Sequence, residues 1–127
     1  AIASGYREAG WLHAIAKHYF KGDGLPKDDA KGIEFLSKSS ELGHWPATRD
    51  LGNLYLNGGP VTKDKEKAVS IFRQGANQGH RYLQHRIGCL YRDGDGVPKD
   101  KEKAAEWFRL AADQGLKAAE MDLELLK

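Results

Sequence analysis

Apolar side chains recur along the chain at the three- and four-residue spacing of a single helix face. Two stripes show the pattern most clearly: Ala47, Leu51, Leu54 and Tyr55, and Leu83, Ile87, Leu90 and Tyr91. Such spacing places side chains on one side of an α-helix. It predicts seven helices, over 3–21, 28–42, 46–57, 64–78, 82–92, 100–114 and 116–126. No segment alternates apolar and polar residues over a useful strand length.

The helices belong to a repeat of 36 residues. Aligned without gaps, residues 51–80 and 87–116 are identical at 16 of 30 positions, and a weaker copy precedes them. We therefore predict a single domain whose repeats span about 8–43, 44–79 and 80–115, followed by a half repeat over 116–127. Each repeat has a helix A, a loop and a helix B. The predicted fold is an all-α, right-handed α/α superhelical solenoid of about three and a half helix pairs.

The loops carry the signals that begin and end these helices. Asp28, Asp64 and Asp100 stand where an N-cap side chain would accept from free backbone N–H groups. Gly24 and Gly96 are expected at positive φ, which proline cannot adopt. Pro60 occupies the corresponding place in the middle loop. That loop should therefore follow another path, with Gly59 forming the turn.

These motifs resemble the Sel-one-like repeat family, relatives of the tetratricopeptide repeat. Helix A shows Ile87-Gly88-Cys89-Leu90-Tyr91, the loop shows Gly94-Asp95-Gly96-Val97 before Asp100, and helix B runs from Ala104 to Gly115 with Trp107-Phe108. The resemblance extends over nearly the whole chain. It implies that the A helices line the concave face of the solenoid and that the protein binds other proteins there.

Composition narrows the possible functions. The chain has 127 residues, 40% of them hydrophobic, with 20 Lys and Arg against 18 Asp and Glu. A net charge of +2 gives no basic stripe for nucleic acid. The absence of a long apolar run argues against membrane insertion. Cys89 is the single cysteine, so no intrachain disulfide forms. We predict no cofactor, leave the oligomeric state open, and favour the bacterial periplasm or secretion over the cytoplasm.

Histidines and the cysteine are the candidates for chemistry. His13 and His18 are five residues apart, as are His80 and His85, so neither pair shares a helix face and no metal site is predicted. Cys89 lies one turn after His85, and a helix-borne Cys–His pair could in principle form a nucleophile. The sequence shows neither an oxyanion site nor a third orienting group. We therefore predict no catalytic residue.

Partner-binding residues are expected where side chains vary while the frame repeats. On successive A helices these positions hold His13 and Lys17, then Arg49 and Asn53, then His85 and Cys89. Stacked helices would align them into one polar, mildly basic strip. Trp45 and Tyr82 add aromatic side chains at the start of helix A, where they would either anchor a partner or cover the joint between repeats.

The predicted function is that of a non-enzymatic protein–protein interaction module, a scaffold or adaptor that holds a protein partner in its concave groove. The resemblance also allows a bacterial immunity protein that neutralises a cognate toxin or effector. A β-lactam-binding or hydrolase-type enzyme is the less favoured reading, because a single cysteine and no Ser–Lys arrangement are present. A fragment of a longer solenoid is the remaining alternative.

Overall fold

The computed structural model describes the backbone of residues 2–127 and the side chains of residues 7–127. Within that range the chain forms seven α-helices and no strand, as predicted. The helices are α1 (Ile2–Lys21), α2 (Asp29–Glu41), α3 (Trp45–Asn57), α4 (Lys65–Asn77), α5 (Arg81–Asp93), α6 (Lys101–Asp113) and α7 (Lys117–Leu125). Both α3 and α4 reappear as α5 and α6 after a shift of 36 residues at each end, so the predicted register is confirmed.

The helices group into two compact units, residues 1–64 and residues 65–127. In the first unit α2 packs against both α1 and α3. In the second unit α4 packs on α5, α5 on α6, and α6 on α7. Each helix therefore buries its apolar face chiefly against its neighbours in sequence, as the repeat pattern requires.

Glycine allows close helix contact inside both units. A methyl group built on Gly88 in α5 would lie 2.7 Å from the ring of Phe108 in α6. A methyl group on Gly32 in α2 would meet the ring of Phe20 in α1 at the same distance. Phe108 is fully buried. Each aromatic ring thus occupies the space that a β-carbon on the facing helix would fill.

The N-caps predicted at Asp28 and Asp100 and the predicted loop differences are present. Asp28 and Asp100 have extended backbones, and their side chains accept from the backbone N–H groups of Lys31 and Lys103. Gly24 and Gly96 have φ of 80° and 83°.

The middle loop follows its own path, as Pro60 requires. Gly59 has φ of 118° there. Gly58 ends α3 with ψ of −169°, whereas Gly94 ends α5 in the left-handed helical region with ψ of 38°. Among the described residues, no helix combines the length and apolar character needed to span a bilayer.

Candidate partner-binding site

A histidine–aspartate pair joins α1 to α3 in the first unit. His13 Nε2 lies 2.7 Å from Asp50 Oδ2, and His13 Nδ1 lies 3.1 Å from His44 Nε2. Asp50 also accepts from Arg49 Nε at 3.1 Å. Nε2–H of His13 donates to the carboxylate, and its Nδ1 shares a hydrogen bond with Nε2 of His44. Both nitrogens of His13 are thereby satisfied inside the protein.

The pKa of His44 lies below its ordinary value of 6.5. Burial is the largest cause, followed by the charges of His13 and Lys17. A proton added to His44 would also place a cation beside a ring that bonds to it at 3.1 Å. His44 is therefore neutral at pH 7 and serves the pair as a hydrogen-bonding partner.

A second histidine–aspartate pair joins α5 to α7 in the second unit. His85 Nε2 donates to Asp122 Oδ2 at 2.6 Å. Cys89 Sγ lies 3.7 Å from the same nitrogen, and Arg92 Nη1 lies 3.4 Å from Asp122 Oδ1. The ring of His85 packs against Phe108, with 5.5 Å between ring centroids. Together these contacts fix the imidazole between two helices.

The two pairs are equivalent positions of the repeat. Each histidine precedes its aspartate by 37 residues, one period plus one. A comparison of positions 36 apart does not pair His13 with Asp50 or His85 with Asp122. The sequence nevertheless contains this pattern. The repeat position directly after that of His13, Arg49 and His85 holds Asp50 in the second repeat, Arg86 in the third and Asp122 in the half repeat.

Cys89 is not arranged as a nucleophile. Burial, the largest influence, raises the pKa of its thiol above the ordinary value of 9.0. Asp122 supplies the third group that the sequence did not show, but it bonds to the same Nε2 that faces the sulfur. In a catalytic triad the acid orients the base through its other ring nitrogen. An Nε2–H that already donates to a carboxylate cannot also accept the thiol proton.

The convergence of His85, Cys89 and Asp122 alters the expectation about metals. The sequence predicted no metal site because the histidines within each pair do not share a helix face. These three side chains instead come from two helices. Their potential ligand atoms all lie within 4.8 Å of one another, and they are the group of three that meets this condition among the described side chains.

An apolar cleft opens beside the first pair. It has a volume of about 340 Å³ and is lined by Ala16, Lys17, Phe20, Leu36, Asp50, Asn53, Leu54 and Pro60. Lys17 also borders a neighbouring cleft of about 240 Å³ that contains His13 and His18. Two of the predicted site residues, Lys17 and Asn53, are thus brought to one opening, and Pro60 of the aberrant loop lines it.

An arginine guanidinium group packs over the ring of each predicted aromatic residue, Trp45 and Tyr82. The Arg49 guanidinium carbon lies 5.3 Å from the centre of the Trp45 ring, and that of Arg81 lies 5.2 Å from the centre of the Tyr82 ring. Trp45 is half-buried, whereas Tyr82 is 44% exposed. Such paired aromatic and guanidinium groups are common at protein interfaces. Their role in binding stays a prediction.

His13 and His18 differ in exposure. His13 is only 5% exposed, and its ring bonds to Asp50 and His44. Its direct contact with a partner stays a prediction. His18 stands where the next two repeats have Leu54 and Leu90. It is exposed, and its Nδ1 lies 3.0 Å from the backbone oxygen of Asp23, which gives it a polar partner in the loop.

Comparison with known proteins identifies the family. Three copies of the Sel1 repeat match the chain, over residues 12–44, 45–80 and 82–116. The chain therefore belongs to the Sel1 repeat family, which the sequence motifs already resembled. No curated protein matches it in sequence at a significant level.

Solved structures share this architecture. A Sel1 repeat protein from Oxalobacter formigenes is 32% identical, with a TM-score of 0.80 over 97% of this chain and 91% of the other. The protective antigen c5321 of uropathogenic Escherichia coli is 31% identical, with a TM-score of 0.77 over 94% of this chain and 27% of that protein. Helicobacter pylori cysteine rich protein B, at 24% identity and a TM-score of 0.69, shares the fold.

Family membership sets the class of activity. Sel1 repeat proteins are generally protein–protein interaction modules, and the family is typically a non-catalytic scaffold.

Proposed function

We propose that this protein is a scaffold or adaptor that holds a protein partner on the exposed surface of its A helices. The supporting observation is the apolar cleft of the first unit, which is flanked by the charged groups of Lys17 and Asp50. A preformed cleft between packed helices loses little conformational entropy when a partner binds. A few anchoring side chains can then supply most of the affinity.

The cleft defines the chemistry of the contact that it accepts. Phe20, Leu36 and Leu54 offer an apolar surface, and Lys17 offers a cation at the rim. Arg49 adds a second cation next to Asp50 and over the ring of Trp45. An apolar side chain of the partner fits the cleft, with an acidic group beside it for Lys17 and Arg49. His13 holds Asp50 in place from beneath.

The second unit presents the corresponding positions. Tyr82, His85 and Cys89 lie on α5 at the places that Trp45, Arg49 and Asn53 occupy on α3, within one residue of the repeat register. Tyr82 is the most exposed of the three. We include these side chains in the proposed contact surface of the second unit, with Tyr82 as the anchor.

Charge reversal at Lys17 tests the proposal. Wild-type protein and the Lys17→Glu variant would be used to capture partners from cells that naturally produce the protein, and affinity for the captured partner would then be measured with purified components. We expect Lys17→Glu or Arg49→Glu to weaken binding by about 1–3 kcal/mol, because each removes a cation and adds a repulsive charge.

Lys38→Glu is the matched control. Lys38 lies on the exposed surface of α2, outside the cleft. Its replacement by glutamate therefore makes the same charge change away from the proposed contact. Its affinity should equal that of the wild type, and all three variants should melt within a few degrees of it. Equal affinity of the wild type and the Lys17 and Arg49 variants would contradict the proposed surface. If the captured partner is a secreted toxin, the protein acts as an immunity protein that neutralises the toxin, and not as a scaffold.

A further inference from the structure

We propose that His85, Cys89 and Asp122 bind a divalent transition-metal ion of the zinc type. The ligand atoms are His85 Nε2, Cys89 Sγ and Asp122 Oδ2, and a water molecule completes a four-coordinate site. The ion would join α5 to α7. The site shares His85 and Cys89 with the contact surface proposed for the second unit, but metal binding does not depend on that surface or on the one proposed in the first unit.

The first support is that the three atoms converge on one point. Sγ and Oδ2 face the same nitrogen, at 3.7 Å and 2.6 Å, and all three atoms lie within 4.8 Å. Zinc bonds of about 2.0–2.3 Å in tetrahedral geometry place ligand atoms roughly 3.3–3.8 Å apart. The sulfur–nitrogen distance already falls in that range. The nitrogen–oxygen distance must widen by about 0.7 Å as the ion replaces the bridging proton.

The neighbouring groups orient these ligands. Arg92 Nη1 lies near Oδ1 of Asp122, which leaves Oδ2 directed at the histidine. Phe108 packs against the imidazole ring. Asp93 accepts from two nitrogens of Arg92, at 3.0 Å and 3.3 Å, and so offsets much of the guanidinium charge that would oppose a cation. Outer groups of this kind commonly hold metal ligands in position.

The ligand types select the metal. A thiolate with an imidazole and a carboxylate suits zinc and its transition-metal neighbours, whereas magnesium and calcium prefer oxygen ligands alone. Three protein ligands leave a fourth position for water. A bound ion would also stabilise Cys89 as a thiolate in its half-buried surroundings.

The first unit provides an internal comparison. Its equivalent residues, 72 positions earlier, are His13, Lys17 and Asp50. The histidine–aspartate pair is the same, but a lysine stands where the second unit has Cys89. An ammonium group cannot ligate a cation. The proposed site therefore depends on one residue difference between two otherwise matching pairs.

Cobalt(II) provides a direct probe, because it occupies zinc sites and its bond to a thiolate gives a characteristic near-ultraviolet absorption band. We would titrate cobalt(II) chloride into the reduced, metal-free protein. The expected result is one ion bound per chain with a thiolate band, and displacement of the cobalt by zinc. Absence of a thiolate band with the wild-type protein at cobalt concentrations up to a millimolar would overturn the proposal.

Ligand variants locate the site. Cys89→Ser should abolish the thiolate band, and Asp122→Asn should weaken cobalt binding at least about tenfold. Asp50→Asn, the equivalent change in the first unit, should leave both the band and the affinity unchanged. Circular dichroism confirms that each variant is folded. A band that survives Cys89→Ser, or equal loss in Asp50→Asn and Asp122→Asn, would place the metal elsewhere.

A gain-of-function variant completes the test. Lys17→Cys supplies the missing ligand next to His13 and Asp50, so the folded variant should bind two cobalt ions where the wild type binds one. Zinc should raise the melting temperature of the wild type but not of Cys89→Ser, because an ion that binds only the folded state stabilises it. An unchanged melting temperature in the wild type at saturating zinc would contradict a bridge between the helices.

Discussion

At the scale of single residues, the contact between Gly88 and Phe108 shows how the repeats divide space between facing helices. The ring of Phe108 fills the volume that a side chain at position 88 would need. Seventy-two positions earlier the chain has Ala16 and Leu36, and both are buried. A larger residue on helix A therefore accompanies a smaller one on helix B. The repeat conserves the combined volume of the pair rather than the identity of either residue.

We predict that Gly88→Ala destabilises the protein despite the better helix propensity of alanine. The new methyl group would lie 2.7 Å from the Phe108 ring and 3.3 Å from the Ala104 carbonyl oxygen. Overpacking of this kind costs about 1–3 kcal/mol, against a propensity gain of about 1 kcal/mol. Urea denaturation should show a net loss in the free energy of unfolding.

Phe108→Leu provides the complementary variant. Combined with Gly88→Ala it recreates the pair found at positions 16 and 36, so the double variant should lose less stability than the sum of the two single changes. Strict additivity would show that the two side chains do not share a limiting volume.

The pKa of His44 leads to a prediction about acid stability. Because folding lowers this pKa below 6.5, the unfolded chain binds more protons than the folded chain just below that pH. The free energy of unfolding therefore rises with pH through this window. We expect His44 to contribute a fall in the melting temperature as the pH decreases from 7.5 through 6.5 and below.

Substitution isolates that contribution. His44→Gln keeps an amide that can bond to His13 but cannot titrate, so the variant should show a shallower loss of stability in acid. His80→Gln, the same change at the equivalent position of the next repeat, serves as the control that separates the contact with His13 from the substitution itself. An identical acid profile for His44→Gln and the wild type would show that this residue does not set the slope.

At the scale of the helices, an aspartate stands just before each B helix, and two of the three cap the helix with their side chains. Asp28 and Asp100 use the same side-chain bond to the third residue of the helix. In all three loops the corresponding backbone N–H, of Asp28, Asp64 or Asp100, donates to a tyrosine carbonyl in the preceding helix A, at 2.8–3.0 Å. One residue thus sets both where helix B begins and how it returns to helix A.

We predict that Asp100→Ala lowers the free energy of unfolding by about 1 kcal/mol, the usual effect of removing an N-cap. Asp100→Asn should retain most of the stability, because asparagine also accepts from the helix N-terminus. Chemical denaturation of both variants measures the difference. Equal destabilisation by alanine and asparagine would attribute the effect to the charge instead of the cap.

At the scale of the whole molecule, packing between sequence neighbours predicts that stability responds locally. In such chains each helix pair contributes mainly through its neighbours. Gly88→Ala should speed amide hydrogen exchange in α5 and α6, while amides of α1 and α2 keep their protection. Mass spectrometry of deuterium uptake distinguishes this result from a uniform increase, which would indicate one cooperative unfolding unit.

The architecture could be predicted from the sequence because its signals are local or periodic. Apolar spacing, the aspartate caps and the recurring glycines placed every helix end within two residues of its observed position. The unusual backbone near Pro60 was equally predictable, since the ring of proline excludes the positive φ that its counterparts adopt.

The site was only partly predictable, because it depends on contacts between helices. His13, His85 and Cys89 were recognised from their own positions, but Asp50 and Asp122 were not, since each lies on the following helix A at an offset of 37 rather than 36. Burial of His13 follows from the same bond. Spacing within one helix also gave no sign that Asp122, on α7, lies near Cys89, on α5.

The histidine–aspartate pairs help to determine which A helix packs next to which during folding. Segments that share an apolar frame can exchange places during folding, which is a characteristic error of repeat proteins. If α5 took the place of α3, His13 would face Arg86 instead of Asp50 and would lose its carboxylate hydrogen-bond acceptor. The alternation of Asp50, Arg86 and Asp122 therefore distinguishes neighbouring helices that the apolar frame leaves interchangeable. An engineer who lengthens this array should duplicate 72 residues at a time, because that step alone preserves the alternation.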